Sequence, residues 1–302
     1  SIQYRTLQMT PRLTMPLTFA ALVALAACGG GSGSDGGSGG GPTAGTNGLD
    51  FGEAGQQLSD AEGTAISMRS ASFQVGAASS IGNATITLDT GFFNGGPANR
   101  ANLDGSIQIL GQTVAITDGS GTLPTGEEVF VTFEPNRVGD FAAAVEVSVT
   151  SGAGMGTIDG EQAYVFGFET NPDEIEAIIS GTAIYSGDFL ATGSVNGAAN
   201  TDTPYEGAIT IEVDFLGTGN ADVDLDGQLD GAINVDLTAN NIPLSGNGFA
   251  GDLGCASGCT DEGSSVDATF YGPNAAEVGG VLAIDIEVGG DDYDGVGTFV
   301  ID

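Results

Sequence analysis

Residues 268–288 read ATFYGPNAAEVGGVLAIDIEV, and this stretch decides the fold class. Its last part alternates: Leu282, Ile284, Ile286 and Val288 fall on one face of an extended chain, and Asp285 and Glu287 fall on the other. An apolar side chain at every second position is typical of a strand that buries one face and exposes the other. The stretch therefore predicts a β-strand at a protein surface.

The segment before this strand carries the signals of a chain turn. Gly272 and Pro273 end a preceding strand at Tyr271, because proline cannot donate to a ladder of backbone hydrogen bonds. Residues 275–277 are predicted to form a helical turn, and Gly279 with Gly280 to let the backbone reverse tightly. The pattern predicts two strands joined by a short connection.

Similar alternation recurs along the chain and predicts an all-β protein. The clearer strands are predicted at 84–88, 106–117, 127–133, 141–150, 162–168, 189–195, 206–215, 221–225, 232–238, 244–249, 267–271, 281–288 and 296–301. Strands at this spacing favour a meander or a closed barrel, which removes exposed edges. One helical turn is predicted from Asn171 as N-cap, Pro172 as first helical residue and Glu174 as the second member of a capping box.

The segment 268–282 resembles the closing part of the β-barrel domain of transferrin-binding protein B and its relatives. The residues that carry the resemblance are Tyr271, Gly272, Pro273, Asn274, Ala275, Ala276, Glu277, Gly279 and Gly280. Two further pieces agree, since 164–187 resembles the start of that barrel and 207–215 one of its strands. The resemblance implies an antiparallel β-barrel of about eight strands at 164–302, preceded by a smaller β-rich domain at 50–163.

The same resemblance implies a biological setting. The family consists of surface lipoproteins of Gram-negative bacteria that capture host or environmental ligands, often for iron or haem uptake. This chain would correspond to one lobe of a two-lobed transferrin binder. Its partner-contacting loops cannot be aligned with those of the type protein, so transferrin itself does not carry over as the ligand.

Residues 9–28, MTPRLTMPLTFAALVALAAC, have the features of a secretory signal. Arg12 precedes a short apolar run, and the final LAAC resembles the lipobox of bacterial lipoproteins. We expect 1–27 to be a signal peptide with an over-called start, and Cys28 to carry the lipid; the alternative is an ordinary signal peptide with a chance cysteine. Residues 28–49 are then a lipidated cysteine followed by a disordered Gly/Ser tether. Gly29 after the cysteine favours the outer membrane, at the cell surface or facing the periplasm.

The charge balance excludes several functions. The chain has 40 acidic residues, five arginines, no lysine and no histidine, for a formal net charge of −35. Nucleic-acid binding needs a cationic surface, which this composition does not provide. Catalysis by a histidine or lysine residue is excluded, and we expect no enzyme. The acids are interpreted either as a solvated surface or as groups that gather a cation or a basic partner.

Two local clusters are candidate sites. Cys255 and Cys259 lie in GDLGCASGCTDEG and are predicted to form a disulfide in an oxidising compartment, two free thiols being the alternative. Four acids match the first half of a calcium loop, although Ile233 stands where the bidentate glutamate belongs. These acids are Asp222, Asp224, Asp226 and Asp230. The alternative is a barrel hairpin with outward aspartates, and the acidic turn at 291–295 is interpreted in the same way.

The function predicted from the sequence is that of a lipid-anchored outer-membrane protein that binds a ligand for iron, haem or other solute acquisition. The ligand is an unknown protein or small molecule, bound by loops at the barrel tip that include 255–259, and an outer-membrane receptor is a candidate partner. The alternative is a structural or adhesive acidic envelope lipoprotein that binds calcium.

Overall fold

Two rolled antiparallel sheets make up the computed structural model, which describes residues 45, 47–74, 77–88, 104–109, 112–124, 126–150, 160–178, 181–197, 203–216 and 219–302. Both sheets belong to one compact unit, residues 41–302. The predicted all-β class is confirmed. Cys28 and the predicted signal peptide lie outside the described residues.

The first sheet has eight strands and is a nearly closed barrel. Its strands are β1 (Ala65–Gln74), β2 (Ala77–Leu88), β3 (Gly105–Ile109), β4 (Gln112–Ile116), β5 (Ser120–Thr122), β6 (Glu128–Val138), β7 (Ala142–Thr150) and β8 (Gly160–Gly167). They follow the order β4-β3-β2-β1-β8-β7-β6-β5. A bridge between Thr117 and Ser120 brings the two ends of the sheet together. The β-rich domain predicted before the main barrel is therefore itself barrel-like.

The second sheet is a closed barrel of eight strands. These are β9 (Thr182–Val195), β10 (Thr203–Asp214), β11 (Asn220–Leu229), β12 (Ile233–Ser245), β13 (Gly248–Asp252), β16 (Ser265–Tyr271), β17 (Glu277–Val288) and β18 (Asp291–Ile301). Two short strands, β14 (Gly254–Ser257) and β15 (Thr260–Asp261), pair with β12 and β17. The ring closes because β18 pairs with β9 and β11 pairs with β12. The eight-stranded barrel predicted by resemblance is confirmed.

Aromatic side chains fill the interior of the second barrel. The ring of Phe270 lies 5.4 Å from that of Phe215, 6.0 Å from that of Phe249 and 6.2 Å from that of Tyr185. Burial of these rings stabilises the fold: replacing one of them by alanine would lower the free energy of unfolding by about 3–5 kcal/mol. The interior of the second barrel is therefore a packed core.

One short helix connects the barrels. Helix α1 (Pro172–Ala177) begins at Asn171, whose side chain accepts a 3.0 Å hydrogen bond from Asp173 N, so the predicted N-cap is confirmed. The predicted capping box is not formed. The Glu174 carboxylate instead accepts a 2.9 Å hydrogen bond from the backbone N–H of Asn274, in the second barrel.

The two barrels share an apolar junction built from their outward-facing residues. Small and β-branched side chains of β1, β7 and β8 pack against those of β16, β17 and β18. The buried members are Ala71, Ala142, Ala144, Ala163, Val165, Tyr271, Val281, Val296 and Val300. Because strands are normally apolar on the inner face of a barrel and polar outside, this second apolar face marks the contact.

Both arginines of the described residues lie at this junction. Arg69 of β1 forms an ion pair with Asp267 of β16. Arg137 of β6 lies 2.8 Å from the Glu146 carboxylate and donates a 2.9 Å hydrogen bond to Thr298 of β18. The described basic side chains therefore join one barrel to the other.

Strand boundaries differ from the prediction in several places, and the strand β1 (Ala65–Gln74) was not predicted. The predicted strand 106–117 is two strands, β3 and β4, paired as a hairpin. The predicted strand 244–249 contains the turn between β12 and β13, where Gly246 adopts a φ of 63°. The predicted domain boundary between 163 and 164 falls inside β8, which pairs with β1 and β7 of the first sheet. Apolar alternation continues through a hairpin or a junction, so it does not show where a strand ends.

Within the described part of the chain, no helix combines the length and the apolar character needed to cross a bilayer.

Candidate binding site on the second barrel

The segment 271–280 forms much of the connection between the barrels. Tyr271 ends β16 as predicted, and its side chain is completely buried in the junction. Gly272 follows with a φ of 74°, and its N–H donates a 2.8 Å hydrogen bond to Phe168 O. A side chain at Gly272 would collide with the ring of Phe141. The glycine is therefore needed for both its backbone conformation and its close approach to the first barrel.

Glu277 is the charged residue of this connection. Its carboxylate accepts backbone hydrogen bonds from Asp140 at 2.7 Å, Phe141 at 3.1 Å and Ala142 at 2.9 Å, all from the turn between β6 and β7. Burial raises its pKa, and the three N–H donors oppose part of that rise. A buried carboxylate with three backbone donors fixes the position of one barrel on the other.

Two predictions about this segment are wrong. Residues 275–277 do not form a helical turn, because Asn274 and Ala275 adopt φ values of 56° and Glu277 already begins β17. Gly279 and Gly280 do not reverse the chain; both lie inside β17. A side chain at Gly279 would meet Val165 of the first barrel, and one at Gly280 would meet the Phe299 ring. These glycines serve close packing on the two faces of one strand.

Cys255 and Cys259 form a disulfide, as predicted, with Cα atoms 5.8 Å apart. The half-buried bridge packs against the apolar core of the second barrel, where β14 pairs with β12. Gly258, inside the five-residue loop, has a φ of 80° and lies against the backbone of Asn234.

The four aspartates considered for calcium do not form a loop around an ion. Asp222, Asp224 and Asp226 lie at alternate positions of the continuous strand β11, and Asp230 lies in the turn after it with a φ of 52°. Same-face neighbours on a strand are about 6.5–7 Å apart. Asp222 also accepts a 2.6 Å hydrogen bond from Asn241 N. This geometry favours the hairpin alternative, because the extended strand holds apart carboxylates that would have to converge on one calcium ion.

A cleft of about 570 Å³ lies on the outer side of the second barrel, next to Arg137 of the first. It is lined by Arg137, Asp188, Phe189, Leu190, Glu206, Gly207, Asp226, Gly227, Gln228 and Asn234. Asp188, Glu206 and Asp226 are exposed and belong to β9, β10 and β11. In β10 the alternate residues, such as Tyr205 and Ile209, point into the core, so Glu206 points outward. The cleft is thus a concave acidic surface; its volume is in the range of small-molecule sites.

A second acidic group lies where β15, β17 and β18 meet. Carboxylate oxygens of Glu262, Glu287 and Asp292 come within 4.8 Å of one another. Partial burial and the charges of Asp285 and Asp292 raise the pKa of Asp294 next to them. Three converging carboxylates are a donor set that hard divalent cations accept.

The fold defines a class: a double β-barrel protein with packed barrel interiors. Residues 179–299 match the family described as the C-lobe and N-lobe beta barrels of Tf-binding protein B. The second barrel of this chain is therefore similar to that family, as its sequence motif predicted.

Solved structures match the chain at low identity. Intact Ap-TbpB, with its N and C lobes, is 16% identical, with 78% of this chain and 46% of that chain covered at a TM-score of 0.43. Isotype 1 TbpB from serogroup B Neisseria meningitidis is 14% identical, with 78% and 43% covered at a TM-score of 0.41. A DUF3598 protein of unknown function from Nostoc punctiforme PCC 73102 is 9% identical, with 81% and 96% covered at a TM-score of 0.24.

The chain thus spans less than half the length of the TbpB structures that it matches. The similarity to the family lies in residues 179–299. No curated protein matches the chain.

The sequence does not show which acidic residues of the second barrel lie side by side. Asp188 and Glu206 were not singled out, because only the strand register brings them next to Asp226. The sequence interprets the acidic turn at 291–295 as a solvated hairpin connection; Asp292 in this turn is exposed, and its carboxylate comes within 4.8 Å of those of Glu262 and Glu287. An outward acid at every second position was the available signal, but it does not reveal which strands are neighbours.

Proposed function

We propose that this chain is a lipid-anchored outer-membrane protein, displayed at the cell surface, that binds a ligand for iron, haem or other solute acquisition. The observation that carries the proposal is the family match of residues 179–299. The packed interior of the barrel supports binding at the outer surface, and the predicted lipidation of Cys28 supports the anchor. The protein acts as a binding partner, not as a catalyst.

Lipid anchoring and display are tested together in a Gram-negative host that expresses the full chain. Wild-type protein is expected to incorporate labelled palmitate and to be removed from intact cells by external protease. The Cys28→Ser variant is expected to incorporate no label. Unlabelled wild-type protein would overturn the anchor, and wild-type protein that resists protease until the outer membrane is opened would overturn surface display.

Ligand class is tested with purified protein and a small set of probes: haemin, iron-loaded transferrin and iron-free transferrin. Transferrin is included because the matched family is named for binding it. Saturable binding of one probe is expected. If all three fail to bind, acquisition of these iron carriers is excluded and the proposal is reduced to other solutes.

A second candidate function is a structural or adhesive envelope lipoprotein that binds calcium. The convergence of Glu262, Glu287 and Asp292 favours it. Here a calcium-dependent rise in melting temperature is expected, and Glu287→Gln with Asp292→Asn should abolish that rise. Asp222→Asn with Asp224→Asn is the matched control, because these acids are on a separate strand and do not converge.

A further inference from the structure

We propose that residues 47–61 act as a strap that closes one end of the junction between the two barrels, and that this end opens when the strap detaches. The end in question, called the connection end, is formed by 139–142 and 168–170 on one side and by 270–277 on the other. The strap begins where the predicted tether ends and leads into strand β1. The tether therefore enters the fold through the strap.

The strap is docked on the first barrel by buried side chains. Leu49, Leu58 and Ala61 belong to the core cluster of that barrel. The buried side chain of Asn47 donates a hydrogen bond to Gly167 O at the end of β8, and its carbonyl accepts a 2.9 Å hydrogen bond from the backbone of β1. Detachment of the strap exposes this apolar surface, so the docked state is the favoured one.

The middle of the strap lies on the chain that leads from one barrel to the other. The N–H of Gly52 donates a 2.7 Å hydrogen bond to Glu169 O. A side chain at Gly52 would lie 2.5 Å from the Cα atom of Gly272. Glu169 pairs with Tyr271 in an isolated bridge, and the N–H of Gly272 donates a 2.8 Å hydrogen bond to Phe168 O. The strap thus packs directly over the first hydrogen-bonded link between the barrels.

The last part of the strap reaches a second link. The N–H of Leu58 donates a 3.1 Å hydrogen bond to Asp140 O, in the turn between β6 and β7. The N–H of Asp140 donates a 2.7 Å hydrogen bond to the carboxylate of Glu277 in the second barrel. One turn of the first barrel therefore holds the strap through its carbonyl and the second barrel through its N–H group. Both links at the connection end are in contact with the strap.

The contacts that remain after detachment are sufficient to keep the barrels together but not to close the connection end. Further along the junction, Arg69 pairs with Asp267 and Arg137 donates to Thr298. The buried apolar members of the junction are mostly alanine and valine, which bury little area each. Domain interfaces within a chain permit motion unless they are large and apolar. A segment can also open locally at a lower free energy than the whole fold.

Hydrogen exchange of the full chain, followed by mass spectrometry, tests the strap. Gly52→Val is the wedge variant; Gly52 does not have a positive φ, so the effect of valine is a collision with Gly272 and not backbone strain. Ala54→Val is the matched control, because Ala54 is an exposed residue of the same strap. We expect peptides that contain Asp140, Thr170 and Gly272 to exchange about tenfold faster or more in the wedge variant. They should be unchanged in the control, and strands β10 and β11 unchanged in both.

Unchanged exchange at the connection end of the wedge variant would overturn the proposal. Equally accelerated exchange throughout strands β1–β8 would also overturn it, because the strap would then be only a part of the core of the first barrel. Gly52→Ala is a smaller wedge and should give the same pattern with a smaller increase, which keeps the test decisive if the valine variant does not fold. Melting curves show whether each variant is folded.

Limited digestion with chymotrypsin, which cleaves after aromatic residues, gives an independent readout. Phe168 and Tyr271 are buried at the connection end. Cleavage after these two residues is expected in the wedge variant, with the wild-type protein and the Ala54→Val control resistant under the same conditions. A wedge variant as resistant as the wild-type protein at both positions would contradict the opening of this end.

Discussion

Glu277 of the second barrel accepts a 2.9 Å hydrogen bond from the backbone N–H of Ala142 in the first barrel. The same carboxylate also receives the N–H groups of Asp140 and Phe141. Since an amide can accept through its oxygen only, Glu277→Gln leaves buried donors facing an NH₂ group. We expect the free energy of unfolding to fall by about 1–3 kcal/mol. Urea denaturation measures it, and the exposed Glu212→Gln should change stability little.

Stability is expected to rise as the solution is acidified from pH 7.5 to pH 5. Burial raises the pKa of Glu277 above 4.5 and that of Asp267 above 3.8, although Arg69 opposes the second shift. A carboxyl group with a raised pKa in the folded state binds protons more readily there than in the unfolded chain. Such a group therefore adds its full contribution to the free energy of unfolding below the pKa that it has in the unfolded chain. This contribution is lost as the pH rises through the pKa that it has in the folded protein.

Urea midpoints at the two pH values check this expectation, and Glu277→Gln should show a smaller pH dependence because it removes one of the titrating groups. A higher midpoint at pH 7.5 than at pH 5 in the wild-type protein would contradict it.

Gly280→Ala is expected to destabilise the second barrel by about 1–3 kcal/mol, because overpacking forces neighbouring groups apart. A methyl group there would collide with the ring of Phe299 and approach the backbone of Asp267. Gly254→Ala is the matched control, since its nearest neighbour outside the adjacent residues is Thr238 O at 3.8 Å. Thermal melts of the two variants should separate clearly, and equal melting temperatures would argue against tight packing at Gly280.

Removing the disulfide is expected to have a modest effect. Closing a loop as short as that between Cys255 and Cys259 restricts the unfolded chain by about 2 kcal/mol at most. The double variant Cys255→Ser with Cys259→Ser should therefore fold and melt a few degrees lower. Thiol titration of the wild-type protein should find these two cysteines unreactive until a reductant is added.

Arg137→Met is expected to lower the free energy of unfolding by about 3 kcal/mol, because Glu146 loses its cation in a largely buried setting. The same change removes the hydrogen bond to Thr298 of the second barrel. Arg137→Lys keeps the charge but has a single nitrogen to reach both partners, so its loss should be intermediate. If lysine were as damaging as methionine, geometry and not charge would explain the role of Arg137.

The sequence predicted the fold better than the site for an identifiable reason. Alternation such as that of Leu282 and Ile284 against Asp285 reports which face of a strand is buried, and the barrel follows from many such strands. Alternation does not report which strand lies beside which, so the neighbours Asp188, Ala208 and Asp226 could not be recognised together.

The junction between the barrels was also beyond sequence reasoning. Glycine is common in turns, but Gly279 packs against Val165, more than a hundred residues away along the chain. From the sequence, Glu277 resembles an acidic residue of an exposed turn. Its hydrogen-bond partners are backbone N–H groups, which have no sequence signature. Contacts made by glycine and by main-chain N–H groups leave little trace in side-chain patterns.

The closed ring of the second barrel has a consequence for how such proteins can diverge. Every strand of the ring is hydrogen-bonded on both sides, and the paired strands are joined by turns that lie at the ends of the ring. Those turns can lengthen, shorten or change composition without altering the pairing that holds the ring. A lineage can therefore retain one architecture while exchanging what it recognises.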